Sequence, residues 1–293
     1  MKAAVISFTG KGGRWNRVIT DRLRSEDICC TGYGFYKYGE EGLEPFSHVR
    51  ELMESLFSSC DLLLFIGAAG IAVRAVAPFI RGKAQDPAVL VMDECAYHVI
   101  SLLSGHLGGA NDLARAIAAL CGAVPVITTA TDAHGLFAVD EWARHQNCRV
   151  LEPERIKTVS GKLLAGEPVL FWSEFPIAGP APAGVNAAPA PEAADFALTL
   201  SPAGNALHLT PRIGVLGIGC KRGTPADKLA DAFAAFCAET KLAPQSIAAA
   251  ASIDLKKDEL GLAEFGQKQG WLVTFYTADE LRAVPGQFAH SDF

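Results

Sequence analysis

Residues 61–67, DLLLFIG, carry no polar side chain between an aspartate and a glycine. A strand with one face in water alternates polar and apolar residues, so an unbroken run of this length needs cover on both faces. Related runs recur at KAAVISFT (2–9), AVLVM (88–92) and AVPVIT (123–128). Helical spacing separates them: Val18, Ile19 and Leu23 after Gly10-Lys11-Gly12-Gly13, then Ile71 to Ala77 limited by Pro78, then Leu113, Ile117 and Leu120. Buried strands alternating with helices predict an α/β fold, with a Rossmann-like parallel-sheet module over residues 1–135.

The regularity weakens from Leu136, which opens a less regular middle segment, 136–211. It predicts helices over 137–145 and 156–164 and a strand over 168–172. The following stretch PIAGPAPAGVNAAPAPEAA (176–194) is expected to be a linker or long exposed loop without a packed core. A second, smaller αβ module is expected over 212–293. Its strand IGVLGIG (213–219) precedes a helix through Leu229, Phe233 and Phe236, a strand over 248–255, a helix over 259–267 and a strand over 271–276.

Composition narrows the partners. The net charge of −6 argues against a nucleic-acid partner, which calls for a basic face. No apolar run reaches membrane-spanning length, and no signal-peptide pattern opens the chain. Eight scattered cysteines, with no CxxC and no Cys/His zinc spacing, indicate a reducing compartment, so a cytoplasmic location and no metal site are expected.

Four loops attract attention because each follows a predicted parallel strand, where doubly wound folds bind ligands. Gly67-Ala68-Ala69-Gly70 opens the helix of Arg74 and is either an anion site or a close strand–helix turn. Asp93-Glu94 ends the third run; adjacent strand residues face opposite ways, so the two need not share a site. Thr128 to Gly135, with Thr129 and Asp132, either binds a ligand or caps the next helix. SLLSGHLGGANDLARAIA (101–118) sets Ser104, His106 and Asn111 among Gly105, Gly108 and Gly109. Its glycines would clear space over a helix start, and His106 is either a hydrogen-bonding structural residue or a proton-transfer group. In the second module Lys221 and Arg222 put positive charge at a helix start. Arg222 also stands where a dinucleotide fingerprint needs its third glycine, and neither a Walker motif nor a GxSxG elbow is present.

Three blocks resemble the CbiG family of cobalamin biosynthesis: GAAGIAVRAVAPFIRGKAQDPAVLVMDE (67–94), VISLLSGHLGGANDLARAIAALCGAVPVITTATDAHG (99–135), and GIGCKRGT with SIDLKKDELGL (217–224 and 252–262). They fall in order across both modules. The resemblance implies cobalt-precorrin-5A hydrolase activity, opening a δ-lactone on the macrocycle and releasing acetaldehyde, with cobalt carried by the substrate and no resident cofactor. Its partners would be a cobalt-corrinoid intermediate and neighbouring pathway enzymes. On this reading His106 or Asp132 takes the proton of the attacking water, and backbone N–H groups near Gly108-Gly109 or Ala69-Gly70 receive the oxyanion. Gly70, Arg74, Lys83, Ser104, Gly108, Gly109, Asn111, Thr129, Lys221 and Arg222 would hold the substrate.

The chain departs from the family pattern twice. Cys95-Ala96-Tyr97-His98 stands where a glycine is expected, and the pattern continues beyond residue 293 through another strand, turn and helix, so an incomplete C-terminal module is expected. The rival functions are a corrinoid carrier without catalysis and an ordinary dinucleotide-binding enzyme.

Overall fold

In the computed structural model, residues 1–38, 40–82 and 85–286 are described. The chain divides into two compact units, Met1–Arg144 with Ser160–Glu167, and His145–Val159 with the chain from Pro168 onward. The first contains β1 (Lys2–Ser7), α1 (Gly10–Ser25), β2 (Cys29–Phe35), β3 (Glu44–Phe46), α2 (Val49–Leu56), β4 (Leu62–Ile66), α3 (Ala69–Val76), β5 (Ala88–Met92), β6 (His98–Leu103), α4 (Ala110–Cys121), β7 (Val124–Val126), α5 (Ala130–Ala133) and most of α6 (Val139–His145).

Its seven strands are ordered β3-β2-β1-β4-β5-β6-β7. The side-chain alternation of β4 explains the apolar run. Leu62, Leu64 and Ile66 point into one core with Ile19 and Leu23 of α1 and Ile117 of α4. Leu63 and Phe65 point into the opposite core with Met53 of α2 and Ala72 and Val76 of α3. Both faces are dry, and each fully buried large side chain there contributes roughly 1.5–3 kcal/mol.

The sheet is dominated by parallel pairs, with one departure from the sequence expectation. β6 pairs antiparallel with β5, and β7 runs parallel to β6. The last two strands therefore point opposite to the other five. The turn between β5 and β6 is built on Asp93, whose carboxylate accepts the N–H groups of Cys95 (2.9 Å), Tyr97 (3.3 Å) and His98 (2.7 Å). Ala96 within it has φ +55°, the left-handed conformation that glycine adopts most easily, close to where the family pattern calls for glycine.

Periodicity also missed β2, CCTGYGF, because glycines break its apolar signal. Gly32 is required there: a Cβ would lie 2.6 Å from both Asn16 Oδ1 and a Leu43 methyl, so α1 sits directly on the strand. Asn16 is fully buried and donates to Val5 O, Ser7 Oγ and Tyr33 O. Gly10 to Gly13 form the first turn of α1 rather than a loop before it. Thr9 caps that turn by accepting the N–H of Gly12 at 3.0 Å.

The second unit holds β8 (Cys148–Val150), the first four residues of α7 (Ile156–Leu164), β9 (Val169–Ser173), β10 (Val185–Ala187), β11 (Phe196–Leu198), β12 (Leu207–Pro211), β13 (Gly214–Gly217), α8 (Ala226–Thr240), β14 (Ile247–Ile253), α9 (Leu260–Gln269), β15 (Leu272–Tyr276) and α10 (Ala278–Arg282). Five strands form one sheet, β10-β9-β11-β12-β8, and three form another, β13-β14-β15. The Pro/Ala-rich stretch is therefore not all loop. Val185–Ala187 pairs with β9 as an edge strand and buries Val185, which a proline-rich segment can do because an edge strand needs hydrogen bonds on one side only. The three-stranded sheet packs against α8 and α9 through Phe233, Phe265 and Trp271, whose rings meet edge to face. Among the described residues no helix is long and apolar enough to cross a membrane.

Candidate active site

The loop from β6 to α4 is folded tightly on itself. Ser104 has φ +60° and donates its hydroxyl to Asp86 O at 3.1 Å. The N–H groups of Gly109, Ala110 and Asn111 donate to the carbonyls of His106, Ser104 and Gly105 at 2.9, 3.1 and 2.9 Å. A Cβ on Gly108 would lie 2.5 Å from that of Ser104 and 2.8 Å from its carbonyl, and one on Gly105 would lie 2.8 Å from Asn111 Oδ1. These glycines make room for the loop's own atoms, not for a ligand above the helix. The N–H group of Gly109, expected to face an oxyanion, is already bonded within the loop.

His106 leaves this loop and enters a cluster of acids. Its Nε2 lies 2.7 Å from Asp132 Oδ2 and its Nδ1 lies 3.2 Å from Asp140 Oδ1. The three side chains are 13%, 11% and 9% exposed, so water screens these contacts little. Asp140 on one side raises the imidazole pKa most, burial opposes it, and Asp132 adds to the rise; the result is about 9. His106 is therefore an imidazolium at neutral pH, with an N–H directed at each carboxylate.

Asp132 is tied from several directions. Its Oδ2 also accepts Thr129 Oγ1 at 2.5 Å and Asn111 Nδ2 at 3.0 Å, and its Oδ1 accepts Arg115 at 2.5 Å. Burial pushes its pKa up, but the bonds from Thr129, His106 and Arg115 outweigh that and hold it below the usual carboxylate range. Asn111 is in turn fixed by Ser101, whose hydroxyl donates to Asn111 Oδ1 at 2.7 Å. Arg115 reaches Asp112 at 2.9 Å and Glu141 at 3.4 Å as well, and Arg144 also pairs with Asp112. Ligand atoms of His106, Asp132 and Glu141 lie within 4.8 Å of one another, but Arg115 already places a cation against both carboxylates. The arrangement reads as a paired polar network with one proton donor and one fixed carboxylate.

The remaining candidates lie elsewhere. Ser104, His106, Gly108, Gly109, Asn111, Thr129 and Asp132 lie at one end of the strands of the first unit's sheet. Gly70 and Arg74 stand at the opposite end, because β4 ends where β6 begins. The five residues of β5 between these ends span about 15 Å. Arg74 there folds back on its own helix, donating to Gly70 O at 3.1 Å. Of the paired acids, Glu94 accepts Thr9 Oγ1 at 2.8 Å while Asp93 organises the turn, so they act apart. Lys221 and Arg222 belong to the second unit, where Glu259 secures their loop by accepting the N–H of Gly223 at 2.7 Å. Lys83 lies outside the described residues. Sequence reading missed Arg115, Asp140 and Glu141. Arg115 follows Asn111 by one helical turn, a spacing that signals a shared face.

Residues 51–132 match the family model for the cobalamin synthesis G N-terminal region, 137–213 the cobalamin biosynthesis central region, and 214–293 the cobalamin synthesis G C-terminus. A cobalt-precorrin-5A hydrolase of Salmonella typhimurium is 38% identical over 275 residues, covering 88% of this chain and 78% of the relative. A second, from Priestia megaterium, is 33% identical over 270 residues, covering 84% and 71%. A crystal structure of a cobalamin biosynthesis protein G homolog from Sulfolobus solfataricus aligns over 97% of this chain and 83% of its own, at 20% identity and a TM-score of 0.48.

Proposed function

The chain belongs to the CbiG family of cobalamin-biosynthesis proteins, and from that premise we propose that it hydrolyses the δ-lactone of cobalt-precorrin-5A and releases acetaldehyde. The observation that carries the placement of the chemistry is the His106–Asp132 pair, a charged donor 2.7 Å from a fixed carboxylate on the loops of two neighbouring strands. Ester hydrolysis needs one group to take a proton from water and another to give one to the departing alkoxide.

Asp132, ionised throughout the physiological range, accepts the proton as water adds to the lactone carbonyl. His106 then protonates the alkoxide as the ring opens, leaving a carboxylic acid and a secondary alcohol. The neutral imidazole next takes the alcohol proton back. Carbon–carbon cleavage turns that oxygen into the carbonyl of acetaldehyde, and the electron pair passes to the conjugated macrocycle. One water is consumed, the proton held by Asp132 passes to solvent to restore the carboxylate, and no external oxidant or reductant is required. The cobalt belongs to the substrate in this scheme, and no resident cofactor is invoked.

Incubating the chain with cobalt-precorrin-5A and assaying acetaldehyde tests the proposal. Turnover in the wild type and loss of it in His106→Gln supports it. Tight binding of the corrinoid without aldehyde would make the chain a carrier.

A further inference from the structure

We propose that Asp140 is the positioning residue of this site, clamping the His106 ring against Asp132 so that the imidazole gives the first proton and does not take it. This rests on the reading of His106 as the proton-transfer group. A neutral imidazole has one N–H and one lone pair. Between two carboxylates it would satisfy one and turn its lone pair toward the other. Only the doubly protonated ring satisfies Asp132 Oδ2 at 2.7 Å and Asp140 Oδ1 at 3.2 Å together.

The surroundings reinforce this division. From α5, Asp132 and the Thr131 hydroxyl, at 3.4 Å, face the ring on its Nε2 side. From α6, Asp140 faces Nδ1, and Glu141 lies beyond it within the same field. From α4, Arg115 faces Asp132 and Glu141, and so offsets those acids without touching the ring. Asp140 thus acts on His106 at the nitrogen turned away from Asp132. Without it the ring keeps one carboxylate partner and gains a free lone pair, and becomes a base of ordinary strength.

An NMR titration of the His106 ring, assigned by comparison with His106→Gln, tests the proposal without substrate. The wild-type ring is expected to titrate near 9, Asp140→Asn to lower that value by about two units, and Asp140→Glu to keep most of it. With cobalt-precorrin-5A, the alkaline limb of acetaldehyde release should shift with the ring, so that Asp140→Asn loses about tenfold or more at pH 8 and little at pH 6. A wild-type ring titrating near 6.5 overturns the proposal, and so does an unchanged value in Asp140→Asn. A loss equal at every pH and not restored by Asp140→Glu would show a merely structural role. Should Asp140→Asn fail to fold, the wild-type titration still decides. A wild type that releases no aldehyde refutes the hydrolase reading and leaves the titration result standing.

Discussion

His106 Nε2 and Asp132 Oδ2 lie 2.7 Å apart although 26 residues separate them in sequence. The contact exists because β6 and β7 run parallel as neighbours, so the loops that follow them emerge side by side. Asn111, at the start of α4, donates to Asp132 and Thr129 and ties the two loops together. A histidine from one loop and a carboxylate from the other are thereby held within hydrogen-bond reach.

Removing either member should abolish most of the chemistry. His106→Gln and Asp132→Asn are each expected to lower kcat for acetaldehyde release by about 10²–10⁴-fold, the usual contribution of a general acid or base. Near-normal release by both variants would remove this pair from the mechanism.

The same contacts make stability depend on pH. The folded-state pKa of His106 is raised from 6.5 to about 9. Its stabilisation is complete below about pH 6.5 and is lost as pH rises through 9; the full difference is about 3 kcal/mol. Asp132 works in the other direction: its lowered pKa stabilises the fold above about pH 4, and that contribution is lost on acidification. Thermal unfolding should show Tm falling between pH 7 and 9.5 in the wild type and much less in His106→Gln. Parallel curves for the two proteins would refute the raised pKa.

Gly108→Ala should destabilise the first unit by about 1–3 kcal/mol, because the new methyl meets the Ser104 side chain and carbonyl within an already closed loop. Urea unfolding of the variant measures this. An unchanged midpoint would mean that the loop has room to spare, as the simple reading of its glycines supposed.

Arg74→Ala should leave KM and kcat within about twofold, as for an ordinary surface change, since Arg74 stands at the opposite end of the strands from His106. A KM raised tenfold would place the substrate at that other end.

How much could be read beforehand follows from what leaves a local trace. The run at Leu62 to Ile66 declared a strand buried on both faces because alternate side chains enter different cores. β2 left no such trace, since Gly32 makes way for Asn16 and adds no apolar side chain. β6 was not read as a strand at all, and its direction was hidden for another reason. Asp93 gathers three N–H groups into a short turn, and nothing in an apolar run distinguishes a hairpin from a crossover. That one reversal placed Arg74 and His106 at opposite ends of the strands and withdrew Gly70 from the same site. His106 and Asp132 were recognisable as chemistry-bearing types. Asp140 was not, because an acid in the first turn of a helix usually serves the helix dipole alone.

A single-turnover incubation of the wild-type chain with cobalt-precorrin-5A, with acetaldehyde and the remaining lactone both quantified, tests the proposed hydrolysis at the His106–Asp132 pair. One acetaldehyde is expected for each lactone opened, with both events slowed by about 10²–10⁴-fold in His106→Gln. Stoichiometric corrinoid binding with the lactone intact and no aldehyde would contradict it.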